Sequence, residues 1–136
     1  MKKKLSPHLN VYKFPITAVS SITTRLTGLS LTGLFIISGM VCYTNIDYKQ
    51  YYNKLDNYSK FLINNSIIFS CTYHTFGGLR HFIWDKYPNL LTNKSVTRSS
   101  YLLIGSSLLT TIVLDNYYNK KYKPPFFILP INDNDE

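Results

Sequence analysis

Charged side chains are missing from three stretches of this 136-residue sequence. Residues 26–46 and 61–79 hold no Asp, Glu, Lys or Arg over 21 and 19 positions, and residues 99–114 hold none over 16. A helix needs about 20 residues to cross the hydrocarbon of a bilayer, so the third stretch needs the interfacial residues 116–118 to complete a span. The pattern predicts an all-α integral membrane protein with three spans and excludes a disordered chain.

Acidic residues and cysteines are also scarce. Seven Asp and Glu against 15 Lys and Arg give a net charge of +8, which by itself could indicate nucleic-acid binding. The excess cations, however, precede the first stretch or lie between the second and third, whereas residues 47–60 and the C-terminal tail are nearly balanced. The positive-inside rule then predicts that the N-terminus and second loop face inward, that the first loop and C-terminus face outward, and that nucleic acid is no partner. Cys42 and Cys71 lie in apolar stretches, so no disulfide framework is expected.

The N-terminus lacks the apolar core of a cleaved signal peptide, because residues 5–16 include His8, Lys13 and two prolines. We expect either a gene product that needs no import presequence or import directed by the mature helices. Residues 1–136 are predicted to form one domain. Its predicted parts are an extended inner lead-in over 1–15, helices over about 16–46, 61–85 and 99–118, and an extended outer tail over 119–136.

Ionisable residues nevertheless gather at the end of the second stretch, where His74, Arg80, His81 and Asp85 follow one another. Ionisable groups are costly inside a bilayer and are usually functional there. In a helix, His74 and His81 share a face about 10 Å apart, so they cannot bind one haem iron from opposite sides. A bis-histidine haem would take its second ligand from another helix or chain. The alternative is that His74 hydrogen-bonds a neighbouring helix.

Glycine at position 78 lies between the two histidines on the same helix face, and its missing side chain would allow a flat macrocycle to approach closely. In the first helix, Ser21, Arg25 and Gly28 share one stripe. Arg25 either snorkels to the membrane surface or faces the bundle interior with Ser21, where both would donate hydrogen bonds to an anionic or carbonyl group. The glycines expected to let a neighbouring helix approach are Gly28, Gly33 and Gly39.

Three segments of the sequence occur in the order and spacing of a known family. They are Ser-Pro-His-Leu at residues 6–9, the run from Pro15 through Ser21 and Arg25 to Gly28, and the run from His74 through Gly-Leu-Arg-His at 78–81 to Trp-Asp at 84–85. Together they resemble the cytochrome b556 subunits, the larger membrane anchors of succinate dehydrogenase, over residues 6 to about 114. The resemblance implies a three-helix anchor that pairs with a second three-helix anchor chain. It also implies that the pair holds the iron-sulfur and flavoprotein subunits at the inner face of the membrane.

The same resemblance implies a function and a set of site residues. The complex passes electrons from its iron-sulfur subunit to ubiquinone, and the anchor has no independent activity. His74 corresponds to an axial ligand of haem b, with the other ligand supplied by the second anchor, and Ser21 and Arg25 correspond to residues of the ubiquinone site. The remaining implied residues are Arg80 and His81 on the haem propionate side and Asp85 near the quinone pocket.

One position departs from the family pattern. Many members have a histidine immediately before the arginine of the first helix, and this chain has Thr24, so neither a propionate contact nor proton delivery is carried over to this position. The alternative function is a structural membrane subunit of a respiratory complex without haem or quinone of its own. The opening segment resembles mitochondrial and alphaproteobacterial members, so we expect the mitochondrial inner membrane, with the bacterial cytoplasmic membrane as the alternative.

Overall fold

The computed structural model describes residues 14–44 and 46–121, and this part of the chain is almost entirely helical. Its α-helices are α1 (Ile16–Thr44), α2 (Tyr48–Asn53), α3 (Asn57–Lys86) and α4 (Asn93–Lys121), with a 3-10 turn at Pro88–Leu90 between α3 and α4. No β-strand occurs within the described ranges. The predicted all-α class is therefore confirmed.

Two of the long helices begin earlier than the uncharged stretches predicted. α3 begins at Asn57 instead of about 61, because the Asp56 carboxylate caps it by accepting a hydrogen bond from the Tyr58 N–H at 3.3 Å. α4 begins at Asn93 instead of about 99, where the Thr92 hydroxyl accepts from the Ser95 N–H at 3.3 Å. An apolar stretch marks only the middle of a helix, whereas polar capping residues set its end.

The other boundaries also differ in part from the predictions. α1 ends at Thr44 instead of about 46, and α4 continues to Lys121, so the start of the predicted extended tail is helical. The connection between the first two long helices contains α2, which the Asp47 carboxylate caps by accepting from the Lys49 N–H at 3.0 Å. The rest of the predicted tail, residues 122–136, and residues 1–13 of the predicted lead-in lie outside the described residues.

The three long helices form a bundle in which each contacts the other two. Short connections join them, so neighbours in sequence run antiparallel. The interior of this bundle is made largely of hydroxyl side chains. Its buried polar residues are Ser20, Thr27, Ser70, Ser100, Ser107 and Thr111, and its buried apolar and aromatic residues are Ile68, Tyr73 and Leu103.

The surface of the bundle is apolar, which reverses the arrangement of a water-soluble protein. Leu29, Phe82 and Leu102 are each more than two-thirds exposed, at 71%, 75% and 73%. Several interior hydroxyls bond to their own helices, as where Ser107 donates to the Leu103 carbonyl at 2.6 Å and Thr111 donates to the Ser107 carbonyl at 2.8 Å. The Ser20 hydroxyl, by contrast, is buried without a hydrogen-bond partner among the described residues. Small residues in the interior and apolar residues on the surface are typical of helices packed in a membrane.

Hydropathy separates α1 from the other long helices. Among the described residues, α1 alone combines the length and composition of a membrane span, with a mean hydropathy of 1.7 over its best window. α3 carries Asn64, Asn65 and several ionisable residues, and these polar groups lower its hydropathy. The predicted number of spans and their orientation therefore stay predictions.

Candidate functional site

The first half of α1 crosses the second half of α3 at unusually short range. A Cβ atom built on Gly28 would lie 2.8 Å from Cε1 and 3.2 Å from Nδ1 of the His74 ring. One turn away, a Cβ atom on Gly77 would lie 3.2 Å from Cγ2 of Thr24. Non-bonded carbon atoms normally sit about 3.5–4.0 Å apart, so any side chain at position 28 would displace the imidazole ring.

His74 is held by the backbone of α1. Its Nδ1 lies 3.1 Å from the carbonyl oxygen of Thr24. A carbonyl oxygen only accepts hydrogen bonds, so Nδ1 is the donor of this bond, and in the neutral imidazole Nε2 is then the nitrogen with the free lone pair. The side chain is exposed on the surface of the bundle. A ring fixed through Nδ1–H with an unprotonated Nε2 is the form in which histidine ligates a metal, and the residues present therefore fit an iron ligand at this position.

Tyr73 supports the neighbouring His74, and the sequence did not single it out. It is 1% exposed, and its hydroxyl donates to the Ser20 carbonyl oxygen of α1 at 3.3 Å. This contact fixes the rotation of α3 against α1 one residue before the histidine. Whether Tyr73 is buried depends on the rotation of α3 against α1, and the sequence around Tyr73 does not reveal that rotation. The small residues Ser20, Thr24 and Gly28, spaced four apart, were a usable signal for the contact face of α1.

The predicted glycine contacts are only partly present in this chain. Gly28 faces α3 closely, but a Cβ atom on Gly33, Gly39 or Gly78 would meet no atom within 4 Å among the described residues. Gly33 and Gly39 therefore do not serve close packing between the described helices. Gly78 leaves open surface beside His74, and its predicted role of admitting a macrocycle stays a prediction.

Arg25 does not face the interior of this three-helix bundle, which within the chain itself disfavours the second of its two alternatives. The side chain is exposed and Ser21 is half-buried. The physical reason is the helical rotation of about 100° per residue, because Thr24 and Gly28 point toward α3 and turn Arg25 away from it. Both predicted quinone residues therefore lie where a group outside the chain can reach them.

Arg80 lies on the other side of α3 from His74. Its Nη1 donates to the Ser100 hydroxyl of α4 at 3.2 Å, and its Cζ lies 4.4 Å from the centroid of the Trp84 ring. Its Nε is buried and has no hydrogen-bond partner among the described residues. Six residues of helix separate Arg80 from His74, which places their side chains about 120° apart around the axis.

His81 shares the face of His74 and is exposed. Its ring meets the edge of Trp84 with centroids 5.5 Å apart. Asp85 follows one turn later and is also exposed, near the C-terminal end of α3. The structure thus brings His74 together with Thr24 and Gly28, and among the described residues no hydrogen bond joins its ring to another predicted site residue.

The bundle has hydroxyl side chains inside and apolar side chains on its surface, an arrangement typical of helical membrane proteins. The chain belongs to the family of succinate dehydrogenase/fumarate reductase transmembrane subunits, which its sequence matches over residues 1–114. The family predicted from the three sequence segments is therefore confirmed.

Individual relatives cover most of the chain. It is similar to the succinate dehydrogenase cytochrome b560 subunit of Reclinomonas americana, with 33% identity over 122 residues that span 83% of this chain and 84% of the relative. The cytochrome b556 subunit of Paracoccus denitrificans is 28% identical over 82% of this chain and 89% of its own length. The cytochrome b556 subunit of Rickettsia prowazekii is 31% identical over 83% and 90%.

Proposed function

We propose that this chain is a membrane anchor of a succinate:ubiquinone oxidoreductase in the mitochondrial inner membrane, spanning it three times. It supplies one axial ligand to haem b and part of the ubiquinone-reduction site, and it has no activity alone. Its partners are a second three-helix anchor, the iron-sulfur subunit and, through that subunit, the flavoprotein. Support comes from the family match and from relatives named as succinate dehydrogenase cytochrome subunits, including a mitochondrial one in Sus scrofa.

The observation that carries the haem assignment is the state of His74. Its Nδ1 donates a hydrogen bond to the Thr24 carbonyl, and its ring packs against Gly28. Its Nε2 is free among the described residues, and the side chain is exposed. His81 lies two turns away and cannot complete the same iron site, so the second ligand comes from the partner anchor. His81 is then a candidate for the propionate side. Haem b, when bound, would supply a one-electron redox centre held in part by His74.

The quinone assignment rests on Ser21 and Arg25. Both lie near the start of α1, and Arg25 is exposed on a face turned away from α3. The Arg25 guanidinium would stabilise negative charge that develops on a quinone oxygen, and the Ser21 hydroxyl would donate a hydrogen bond to that oxygen. Asp85, exposed at the end of α3, is proposed to lie near the same pocket.

Replacing His74 tests the haem assignment. In the purified complex, H74A should abolish the reduced b-type absorption band, whereas H81Q, which changes the other histidine of the same face, should retain most of it. Succinate oxidation with an artificial acceptor should survive in both variants, since the succinate site lies in another subunit. A full-strength reduced band in assembled H74A would contradict the assignment and favour the structural alternative.

Replacing Arg25 tests the quinone assignment. R25A should lower ubiquinone reduction by about 100-fold or more, the usual loss when one donor to a developing oxyanion is removed. Reduction of an artificial acceptor by succinate should stay unchanged, and R98A, which removes an exposed cation of α4, should lower neither activity. Equal loss of both activities in R25A would indicate failed assembly and remove the support for a quinone role.

A further inference from the structure

An open groove of about 340 Å³ lies between α3 and α4, on the opposite side of α3 from the α1 crossing. Its walls are mainly apolar and include Phe76, Leu79, Leu102 and Leu103. Arg80 lies in this groove, close to the end where α3 joins α4. Among the described residues, the groove therefore combines apolar walls with a single cation, Arg80, at one end.

Arg80 is poorly compensated by the protein. Its hydrogen bond from Nη1 goes to Ser100, whose own proton is donated to the Val96 carbonyl at 2.8 Å. Its Nε has no partner, and no carboxylate of the described residues pairs with it. Removing a guanidinium even partly from water is unfavourable unless an anion accompanies it. The groove thus needs an anion from outside the described chain.

The nature of that anion follows from its surroundings. The groove continues from Arg80 along apolar side chains, so its occupant carries an oxyanion at one end and a hydrocarbon chain at the other. Exposed cations near the same end, Lys86, Lys94 and Arg98, strengthen the attraction for an anionic headgroup. A haem held by His74 would lie on the other side of α3, about 120° around the helix, so its propionates match this groove less well.

We propose that the α3–α4 groove binds one membrane phospholipid. Its phosphate accepts hydrogen bonds from the Arg80 guanidinium, and one acyl chain lies along Phe76, Leu79 and Leu102. Arginine suits this role because its planar N–H groups match phosphate oxygens, and stacking on Trp84 holds the plane in place. This proposal rests on the transmembrane character of the family and not on haem or quinone binding.

Trp84 provides a direct probe, because it is the only tryptophan of the chain and lines the groove. The full chain is reconstituted in phosphatidylcholine vesicles that contain a small fraction of phosphatidylglycerol brominated in its acyl chains. Bromine quenches tryptophan at short range. The comparison is quenching by brominated phosphatidylglycerol against quenching by brominated phosphatidylcholine at the same fraction.

The wild-type chain should prefer the anionic lipid by about fivefold, the factor expected from one arginine near a lipid headgroup. R80Q should lose this preference and R80K should keep part of it. R98Q should keep most of it, since Arg98 adds only to the general attraction and lies outside the groove lining. Added inorganic phosphate should not compete, because it lacks the acyl chain. Equal quenching by the two lipids in the wild type, or equal loss in R80Q and R98Q, would overturn the proposal.

A second variant guards against misfolding of R80Q. S106L narrows the apolar part of the groove and leaves Arg80 in place, so it should lower quenching by both brominated lipids. Unchanged quenching in S106L would overturn the acyl-chain position. In the complex, R80Q should keep the b-type band, and loss of that band with normal lipid preference would assign Arg80 to a haem propionate instead.

Discussion

The two sides of α3 make contact in different ways. Toward α1, side chains pack directly on glycine backbone, with the His74 ring on Gly28 and Thr24 on Gly77, and His74 also bonds to a main-chain carbonyl. Toward α4, contact runs through hydroxyl side chains, with Arg80 bonded to Ser100 and an open groove beside it. One helix therefore has a side that fixes a side chain rigidly and a side that leaves space.

This difference bears on where a cofactor and where a lipid can be held. A metal ligand has to be placed within a fraction of an ångström, and the His74 ring, pressed on Gly28 and bonded to Thr24, has little freedom. A lipid tolerates a looser site, because its acyl chain adapts to the groove. We therefore expect the α1 side of α3 to hold the cofactor ligand and the α4 side to hold the lipid, and substitutions on each side test this separately.

The largest effect is expected at the tight side. G28A places a methyl group 2.8 Å from Cε1 of His74 and should push the ring off the Thr24 carbonyl. Haem retention by the complex should weaken by about 10- to 100-fold, the range for losing a group that orients a metal ligand. Haem content per complex and the reduced b-type band provide the measurement.

The matched control is G33A, on the same helix, because a methyl group there meets no atom within 4 Å among the described residues. It should leave haem retention unchanged if only the tight crossing matters. Equal loss in both variants would show that helix flexibility, and not the seat under His74, controls the site. An unchanged haem content in G28A would mean that contacts other than those with Gly28 and Thr24 orient the His74 ring.

An intermediate effect is expected in the hydroxyl-rich interior. Ser107 of α4 is fully buried, so S107L forces extra volume between the helices and should lower the free energy of unfolding in detergent by about 1–3 kcal/mol. L109A, at a site 67% exposed, should change it by no more than about 0.5 kcal/mol. Thermal unfolding followed by circular dichroism compares them. If L109A lowered the free energy of unfolding more than S107L does, the helices would pack through the apolar surface and not through the hydroxyl-rich interior.

Much of this architecture was predictable from the sequence, because charge depletion over long stretches needs no tertiary information. The helix starts were not predicted well, since Asp56 and Thr92 cap their helices outside the apolar stretches. For Arg25, two directions stayed open, the membrane surface and the bundle interior. Its stripe on α1 was identified, but which stripe meets α3 depends on the rotation of one helix against another.

The candidate site shows the same limit more sharply. His74 was singled out because an ionisable group in an apolar stretch is costly. Gly28 was predicted to let a neighbouring helix approach, but the prediction did not extend to its contact with the His74 ring. Periodicity within one helix identifies residues that share a face. Periodicity carries no information on the register between two helices. That register places Gly28 and the Thr24 carbonyl against the His74 ring.

The smallest effect is expected where the α3–α4 side has a side-chain hydrogen bond. The Thr72 and Thr111 hydroxyl oxygens lie 3.3 Å apart, yet Thr72 also lies 3.1 Å from the Phe69 carbonyl and Thr111 lies 2.8 Å from the Ser107 carbonyl. Each hydroxyl has one proton, so the bond between helices forms only when one threonine leaves its own backbone partner. We expect a coupling energy of about 0.6 kcal/mol or less from the double-mutant cycle of T72V and T111V, as for hydrogen bonds between membrane helices.

The control cycle pairs T72V with T110V, because the Thr110 hydroxyl donates to the Ser106 carbonyl of its own helix at 2.8 Å. Its coupling should be near zero when unfolding is measured under the same detergent conditions. A coupling above about 1.5 kcal/mol between Thr72 and Thr111 would exceed what a shared proton allows. It would mean that the α4 side is held as firmly as the α1 side, and the contrast between the two sides of α3 would then rest on the groove alone.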